Sequence, residues 1–248
     1  MNKKDKLKLY IEISDLIKKL AKLAINKVSK QFQSRNKELN WREKVIFGLA
    51  RKIYLTFECL VEDAKKDRGE AQHHLKTIVE CFLYYHWVVQ DESDTNAKLL
   101  IAKGCKGKIS FFNKNSDYPE NTEFCEYWED YFNNLILGVE LKWKEFKKKT
   151  LGKLAEDSKV DKFYRRIYKL ACEPAHISDI IDYLPTPNVP LTLDKPLTSK
   201  LWSTIAIDYA LNILCCLIQD ASDFYQLSLN IEISNLKIEL TKIRNNSI

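Results

Sequence analysis

Glycine, proline and methionine are scarce in this sequence. The 248 residues include six glycines, six prolines and one methionine, whereas leucine, isoleucine, lysine and glutamate are plentiful. Glycine and proline interrupt helices, and folds rich in strands need many turns. We therefore expect an all-α fold. Because 45% of the residues are hydrophobic, the chain can fill a substantial core, and we expect it to fold alone.

Long uncharged apolar runs are also absent. Charged residues interrupt the basic beginning MNKKDKLKLYIEISD before any apolar stretch reaches the length of a signal peptide, and no uncharged apolar run is long enough to cross a membrane. We predict a cytoplasmic protein with no membrane partner. The formal net charge of +6 is spread along the chain, so it permits an acidic partner such as RNA without requiring one.

The cysteines do not form a recognisable framework. They are odd in number, never spaced as CxxC, and mostly lie in apolar helical stretches, where a free thiol behaves as a small hydrophobic group. These seven residues are Cys59, Cys81, Cys105, Cys125, Cys172, Cys215 and Cys216. The sequence also lacks a P-loop, GxGxxG, GxSxG and HExxH. We expect no disulfide, no metal and no cofactor.

Apolar residues recur at three-to-four-residue spacing along most of the chain, which predicts amphipathic helices. Asn40 is a candidate cap for the second helix, Ser93 or Asp94 for the fourth, and Thr198 or Ser199 for the helix LWSTIAIDYALNILCCLI. The predicted helices cover about 5–32, 41–66, 70–90, 94–103, 121–150 with a weak point at Gly138, a stretch from Asp161, a stretch from 199, and a last one ending near 243.

A polar joint, QSRNKELN at residues 33–40, separates the first two predicted helices, and three further interruptions follow. A break is expected at 67–69, and the segment GCKGKISFFNKNSDYPEN, residues 104–121, is predicted to be a long loop because it holds two glycines, several asparagines and a proline. Residues 184–197 contain four prolines and should form a stiff external connection. Long helices joined in this way predict one domain over 1–248, an antiparallel up-and-down helical bundle with additional helices.

One acidic residue stands out in the helix at 70–90. The run IVECFLYYHWVV is apolar nearly all round, which suits the middle of a bundle, and it contains Glu80. A buried carboxylate without a partner costs several kcal/mol or becomes protonated. We therefore expect Glu80 to have a cationic or hydrogen-bonding partner. Lys76 lies one turn earlier on the same face, and His73 lies a further turn back.

A second line of candidate residues lies near the proline break at Pro174. Tyr168 and Cys172 are four residues apart, and His176 continues the spacing only if the helix persists through the proline. Proline removes an amide and blocks a carbonyl of the preceding turn, so the helix must kink or stop. We predict that the break turns His176 toward a neighbouring helix, where Glu80 is its expected partner.

These two lines resemble an uncharacterised bacterial helical family, a domain of unknown function. That family is recognised by an R-x3-E helix and a later Y-x3-S-x3-H helix. Here the first pair is Lys76 and Glu80, and the second set is Tyr168, Cys172 and His176, so lysine replaces arginine and cysteine replaces serine. The resemblance covers roughly 70 to 180. It implies a helical bundle and brings no reaction with it.

A weaker resemblance is to the HEPN superfamily of helical ribonucleases and nucleotide-binding domains, whose active members carry R-x4-6-H. Arg68 and His73 satisfy that spacing, although Gly69 follows the arginine and the motif starts a helix. The resemblance implies that the imidazole handles the 2′-hydroxyl proton and the guanidinium stabilises charge on the scissile phosphate, in a homodimer and without metal.

Two classes of function follow, and the sequence leaves both open. In the first, the protein is an RNA-cleaving or nucleotide-sensing effector of a toxin or antiphage system, with Arg68 and His73 as the working pair and Glu80 and His176 in support. In the second, it is a noncatalytic helical interaction protein. In that case Lys76 with Glu80 is a structural pair, His73 is a solvated or interface residue, and His176 is a structural hydrogen-bonding residue.

Overall fold

The computed structural model describes residues 3–35, 38–66, 71–114, 119–172 and 199–245. These residues are almost entirely helical and contain no strand, which confirms the all-α prediction, whereas the up-and-down bundle stays a prediction. The elements are α1 (Lys3–Arg35), α2 (Trp41–Lys65), α3 (Ala71–Val89), α4 (Thr95–Lys114), α5 (Pro119–Ile136), α6 (Glu140–Phe146), α7 (Leu151–Asp157), α8 (Asp161–Phe163), a π-helical turn (Tyr164–Tyr168), α9 (Lys169–Cys172), α10 (Ser199–Tyr225) and α11 (Asn230–Asn245).

The chain divides into two compact units. The first comprises Met1–Lys37, Ala50–Phe82 and Lys162–Ile248, and the second comprises Glu38–Leu49 and Leu83–Asp161. Helices α2 and α3 therefore contribute residues to both units. The prediction of one domain stays a prediction.

In the first unit, α1 packs against α10 and α11. The side chains of Tyr10 and Ile17 on α1 and of Leu211 on α10 are fully buried, because apolar residues recur on one face of each helix. Polar contacts join α1 to the turn between α10 and α11, and α11 to α10. Lys27 Nζ donates to the Leu227 carbonyl at 2.8 Å, and the Arg244 guanidinium pairs with the Asp208 carboxylate at 2.8 Å.

The second unit is built around the α4 and α5 pair and a tryptophan stack. The Trp87 ring lies parallel to the Phe146 ring at a centroid distance of 4.7 Å. Between α4 and α5, Cys105 and Ile109 pack with Cys125 and Phe132 in a second apolar cluster. Burial of these side chains stabilises the unit through the hydrophobic effect, at about 1.5 to 3 kcal/mol for each large side chain.

The start of α2 is capped from two directions. Asn40 Oδ1 accepts from the Glu43 amide at 2.8 Å, and Glu43 Oε2 accepts from the Asn40 amide at 3.0 Å, which confirms the predicted cap and completes a capping box. The Asp94 carboxylate accepts from the amides of Trp41 and Arg42 at 3.4 and 3.0 Å. The amides of Trp41, Arg42 and Glu43, which have no partner within the helix, are thus all paired with side chains.

The side chains that cap the start of α4 belong to residues other than Asp94. Ser93 Oγ accepts from the Thr95 amide at 3.2 Å, as one of the two alternatives predicted, and Asp91 Oδ2 accepts from the Asn96 amide at 2.8 Å. Burial acts to raise the pKa of the Asp91 carboxyl, but the hydrogen bonds that it accepts from the Asn96 amide and from the hydroxyl and amide of Ser93 hold that pKa below its usual range. The Asp94 side chain therefore caps α2 and not α4.

The prediction of a long loop at 104–121 is wrong. Helix α4 continues through Gly104 and Gly107 to Lys114, and α5 begins at Pro119, two residues before the expected start. A Cβ at either glycine would meet nothing within 4 Å, so both lie on an open side of the helix. Packing of the opposite side against α5 outweighs the weak helical preference of glycine, about 1 kcal/mol per residue.

The helix expected over 121–150 is interrupted at the predicted weak point. Helix α5 ends at Ile136, and Gly138 has φ +81°, a left-handed conformation that favours glycine. Helix α6 follows, and the separate helix α7 begins after Thr150, whose Oγ1 accepts from the Lys153 amide at 3.2 Å. The predicted single helix is therefore wrong, although the position of its break is right.

The helical run at 161–172 begins at Asp161, as predicted, but it contains a π-helical turn at Tyr164–Tyr168. A π-helical turn holds one residue more than an α-helical turn, and it is often found at functional sites. The expected break at 67–69, Pro174, the connection at 184–197 and the cap at Thr198 lie outside the described residues.

Among the described residues, one helix is long and apolar enough to cross a membrane. This stretch, Ser203–Tyr225 of α10, meets the criterion by length and composition alone, and more than half of it is buried inside the protein. A core helix of a soluble protein meets the same criterion. The cytoplasmic location stays a prediction.

Candidate functional site

Glu80 and Tyr168 meet in the first unit. Glu80 lies on α3, half-buried, and its Oε1 accepts a hydrogen bond from the Tyr168 hydroxyl at 2.8 Å. The structure thus brings together the two groups of candidate residues, one around Glu80 and one around Tyr168. Glu80 has the hydrogen-bonding partner that its apolar surroundings require. His176, the partner expected for Glu80, lies outside the described residues.

Cys172 belongs to the same cluster. Burial, the contact with the Cys172 thiol and the hydrogen bond to Glu80 together raise the pKa of the Tyr168 hydroxyl far above its usual range. At neutral pH the hydroxyl therefore keeps its proton and donates a hydrogen bond to the carboxylate. We call Glu80, Tyr168 and Cys172 the tyrosine cluster.

The π-helical turn places Tyr168 within this cluster. At its two ends the rings of Tyr164 and Tyr168 stack at 4.9 Å with an interplanar angle of 19°. Just before it, the Phe163 ring contacts Phe82 of α3 edge to face at 5.2 Å. These aromatic contacts hold the turn beside α3 and orient the Tyr168 hydroxyl toward Glu80.

Lys76 is half-buried on α3, one turn before Glu80. Among the described side chains, no ion pair joins it to Glu80, and the hydrogen bond from Tyr168 occupies Glu80 instead. The hydrogen-bonding partner of Glu80 among the described residues is thus a neutral hydroxyl. A hydrogen bond to a charged acceptor contributes about 1.5 to 3 kcal/mol when well formed.

The two adjacent histidines of α3 differ in their surroundings. His73 is exposed, whereas His74 Nε2 lies 2.8 Å from Asp63 Oδ2 of α2. The side chains of His74 and Asp63 are 28% and 18% exposed, so the pair is partly shielded but reachable from solvent. Arg68 lies between the two helices in sequence and outside the described residues.

The pair of His74 and Asp63 was missed in the sequence, where only His73 was matched to the R-x4-6-H spacing. His74 lies six residues after Arg68 and satisfies that spacing equally well. Asp63 lies near the end of the preceding helix, five residues before the arginine. This acidic residue just before the turn was the available signal.

A metal centre is not formed by the described residues. Among them, no three His, Cys, Asp or Glu side chains gather as metal ligands would. The tyrosine cluster offers one carboxylate, one thiol and a protonated phenol, a poor ligand set for a divalent cation. The absence of a metal stays a prediction, because His176 is outside the described residues.

Comparison with known proteins gives one match. The model of a family of unknown function, DUF5677, matches residues 43–188, more than half of the chain. The matched part contains His74 and Asp63 and all three residues of the tyrosine cluster. No curated protein and no solved structure matches the chain.

Proposed function

The chain belongs to this family of unknown function, and we propose that it is an RNA-cleaving effector of a toxin or antiphage system, acting without metal. The observation that carries this proposal is the hydrogen bond between His74 and Asp63. An imidazole held by a carboxylate is the arrangement that general acid–base catalysis uses, because the second group fixes the ring orientation and the tautomer.

The tautomer follows from the hydrogen bond. When Nε2 of His74 carries hydrogen and donates to Asp63, the lone pair of Nδ1 is available to accept a proton. In RNA that proton comes from a 2′-hydroxyl. Its oxygen then bonds to the adjacent phosphorus, the bond from phosphorus to the 5′-oxygen breaks, and the leaving oxygen takes up a proton. The products are a 2′,3′-cyclic phosphate and a 5′-hydroxyl end.

Two further candidates from the sequence have roles in this proposal. Arg68 supplies the guanidinium that stabilises the charge on the phosphate, since arginine binds phosphate oxygens in a bidentate manner. The exposed imidazole of His73 is available to protonate the leaving 5′-oxygen. Glu80 supports the site from farther along α3 through its bond with Tyr168, and is not proposed to touch RNA.

The test is cleavage of a labelled single-stranded RNA by the purified chain in the presence of EDTA. We expect cleavage in the wild type and a loss of about 100-fold or more in His74→Ala, since general acid–base catalysis contributes about that factor or more. Asp63→Asn should lose less, because the imidazole remains. His86→Ala, the α3 histidine farthest from Arg68, is the matched control and should cleave as wild type does.

Analysis of the cleavage products and a variant of the neighbouring histidine make the test more specific. Mass spectrometry should find 2′,3′-cyclic phosphate ends, and His73→Ala beside His74→Ala shows whether both imidazoles contribute to cleavage. Equal cleavage by the wild type and by the Arg68, His73 and His74 variants would exclude these residues as its cause. RNA left intact by the wild type would contradict the proposal itself.

A noncatalytic interaction protein is the second candidate, and the tyrosine cluster favours it. Glu80 and Tyr168 satisfy each other's hydrogen-bonding groups, which suits a structural role. In this case His74→Ala would lower stability without changing any RNA, and expression of wild type and variant would have the same effect on growth. Following cell growth and RNA integrity for both proteins separates the two candidates.

A further inference from the structure

Helices α4 and α5 of the second unit carry opposite charges. Over Thr95–Lys114, α4 has lysine at five positions and no acidic residue, and over Pro119–Ile136, α5 has five acidic positions and no basic residue. The lysines are Lys98, Lys103, Lys106, Lys108 and Lys114, and the acidic residues are Glu120, Glu123, Glu126, Glu129 and Asp130. Among the described residues, no ion pair joins the two helices. Lys103 and Lys106 lie over the rings of Tyr84 and Phe132, so the α4 charges most open to another molecule are those of the exposed Lys108 and Lys114.

Aromatic rings lie exposed along the same two helices. Phe111 of α4 and Phe124 and Tyr127 of α5 are 60%, 51% and 58% exposed. Phe112 joins Phe111 to Phe124, with ring centroids 5.4 Å from each, and Tyr131 stacks beside Tyr127 at 6.2 Å. We call these five rings the aromatic face. Large aromatic side chains clustered on a surface are typical of contact sites.

Within the aromatic face, Phe112 and Tyr131 pack against the buried seam of the second unit, whereas Phe111, Phe124 and Tyr127 are exposed. Helices α4 and α5 contact each other through Cys105, Ile109, Cys125 and Phe132, which are buried. At helical spacing, Phe111 is turned well away from Ile109, and Tyr127 well away from Cys125. The exposed rings therefore lie beside this buried seam and form a surface that crosses both charged helices.

We infer that the aromatic face binds a second copy of this chain. A two-fold axis brings the same surface of two copies together, so that α4 of each copy can lie against α5 of the other. That arrangement pairs lysines with carboxylates on both sides of the axis and buries the exposed rings at the centre. Charge complementarity thus exists within a single surface, as a self-associating interface requires.

The same charges argue against a nucleic acid at this face. Binding of RNA depends on neutralising phosphates with basic side chains, and the five acidic positions of α5 would repel them. The lysines of α4 alone would suit RNA, but they lie beside that acidic helix. This inference does not rest on RNA cleavage, and its test measures mass, not activity. It gives the homodimer predicted from the sequence a specific surface.

The experiment is sedimentation equilibrium of the full chain over a range of concentrations. We expect a monomer–dimer equilibrium in the wild type and a dimer dissociation constant at least about tenfold weaker in Phe124→Ser, because truncated interface aromatics commonly cost that much. Leu141→Ser is the matched control, since Leu141 is also a strongly exposed apolar side chain of the second unit, outside the aromatic face. It should dimerise as wild type does.

Charge reversal tests the pairing of the two helices. Lys108 and Glu123 are exposed and flank Phe111 and Phe124. Lys108→Glu and Glu123→Lys should each weaken the dimer, and an equimolar mixture of the two variants should form heterodimers more readily than either variant forms homodimers. Far-UV circular dichroism and melting of every variant check that the fold is kept.

The inference is overturned by three results. One is a wild type that stays monomeric at about 100 µM, well above the concentrations at which specific dimers form. Another is a dimer that Phe124→Ser and both charge reversals leave unchanged although they fold. The third is a monomeric wild type whose binding to single-stranded RNA is abolished by Phe124→Ser, which would assign the face to nucleic acid.

Discussion

The Tyr168 hydroxyl and the Glu80 carboxylate are joined by a 2.8 Å hydrogen bond across 88 positions of the chain. This hydrogen bond connects helix α3 to the π-helical turn. Aromatic rings surround it, and one of them, Phe163, contacts Phe82 of α3 edge to face. Because the carboxylate is half-buried, removing its donor leaves a charge that water can only partly solvate. The contribution of this hydrogen bond should therefore be measurable in the free energy of unfolding.

Tyr168→Phe should lower the free energy of unfolding by about 1.5 to 3 kcal/mol, since it removes a hydrogen bond to a charged acceptor and keeps the ring. Denaturant unfolding followed by circular dichroism gives this value. Tyr164→Phe is the matched control, because no hydrogen bond among the described residues involves that hydroxyl while its ring stacks in the same way. Equal losses in both variants would show that the contact with Glu80 contributes nothing.

Asp94→Ala should destabilise the protein by about 1 kcal/mol, the usual cost of losing a helix cap. The amides of Trp41 and Arg42 would lose their acceptor, and α2 would begin less firmly. Thermal unfolding measures the change. Glu92→Ala, an exposed acidic neighbour, removes the same charge without removing a cap and should melt close to wild type. A larger loss in Glu92→Ala than in Asp94→Ala would contradict the capping role.

Two glycines should respond to alanine with opposite signs. Gly104→Ala should raise the free energy of unfolding by about 0.5 to 1 kcal/mol, because Gly104 lies in a helix interior and a Cβ there meets nothing within 4 Å. Gly138→Ala should lower it by about 1 to 2 kcal/mol, because φ +81° is strained for any residue with a Cβ. Matched melting curves test both, and changes of the same sign would contradict one assignment.

Tyr54 should ionise late in an alkaline titration. Burial, followed by the hydrogen bond that its hydroxyl donates to Glu58 at 2.9 Å, raises the pKa of Tyr54 from 10.0 to about 12. A raised pKa means that the protonated form is favoured in the folded state. Its contribution to stability is therefore complete below pH 10, the unfolded value, and is lost as the pH rises toward about 12.

The measurement is the phenolate absorbance of wild type minus that of Tyr54→Phe. At a pH of about 11, an unperturbed tyrosine is mostly ionised, whereas the Tyr54 difference should still be small. The stabilisation of wild type over Tyr54→Phe should stay constant up to about pH 10 and shrink above it. A difference spectrum with a midpoint near the ordinary value would show that the Glu58 contact does not hold in solution.

Helix boundaries were predictable where they depend on neighbouring residues. Asn40 and Glu43 are three positions apart, and their reciprocal bonds need no other part of the chain. Gly138 marks a break for the same local reason. Gly104 and Gly107 mislead, because the helix through them is stabilised by the packing of Cys105 and Ile109 on α5, and no local pattern reveals that contact.

The candidate site was predictable in part. That Glu80 requires a partner follows from the apolar residues around it, and Tyr168 was among the residues singled out. The pairing of these two residues could not be predicted, because it depends on a π-helical turn that no residue pattern in the sequence specifies. The contact of His74 with Asp63 joins two helices across a turn, and its geometry is set by packing and not by spacing.

The π-helical turn also determines which sequence changes the protein can accept. Deleting one residue within Tyr164–Tyr168 would remove the extra residue of this wide turn, so the helix could return to ordinary pitch while the later side chains keep nearly the same direction. A relative shorter by one residue at this point could therefore still direct a tyrosine and a cysteine toward a glutamate on the neighbouring helix. A length difference of one residue is thus better tolerated at this turn than within the regular helices of the protein.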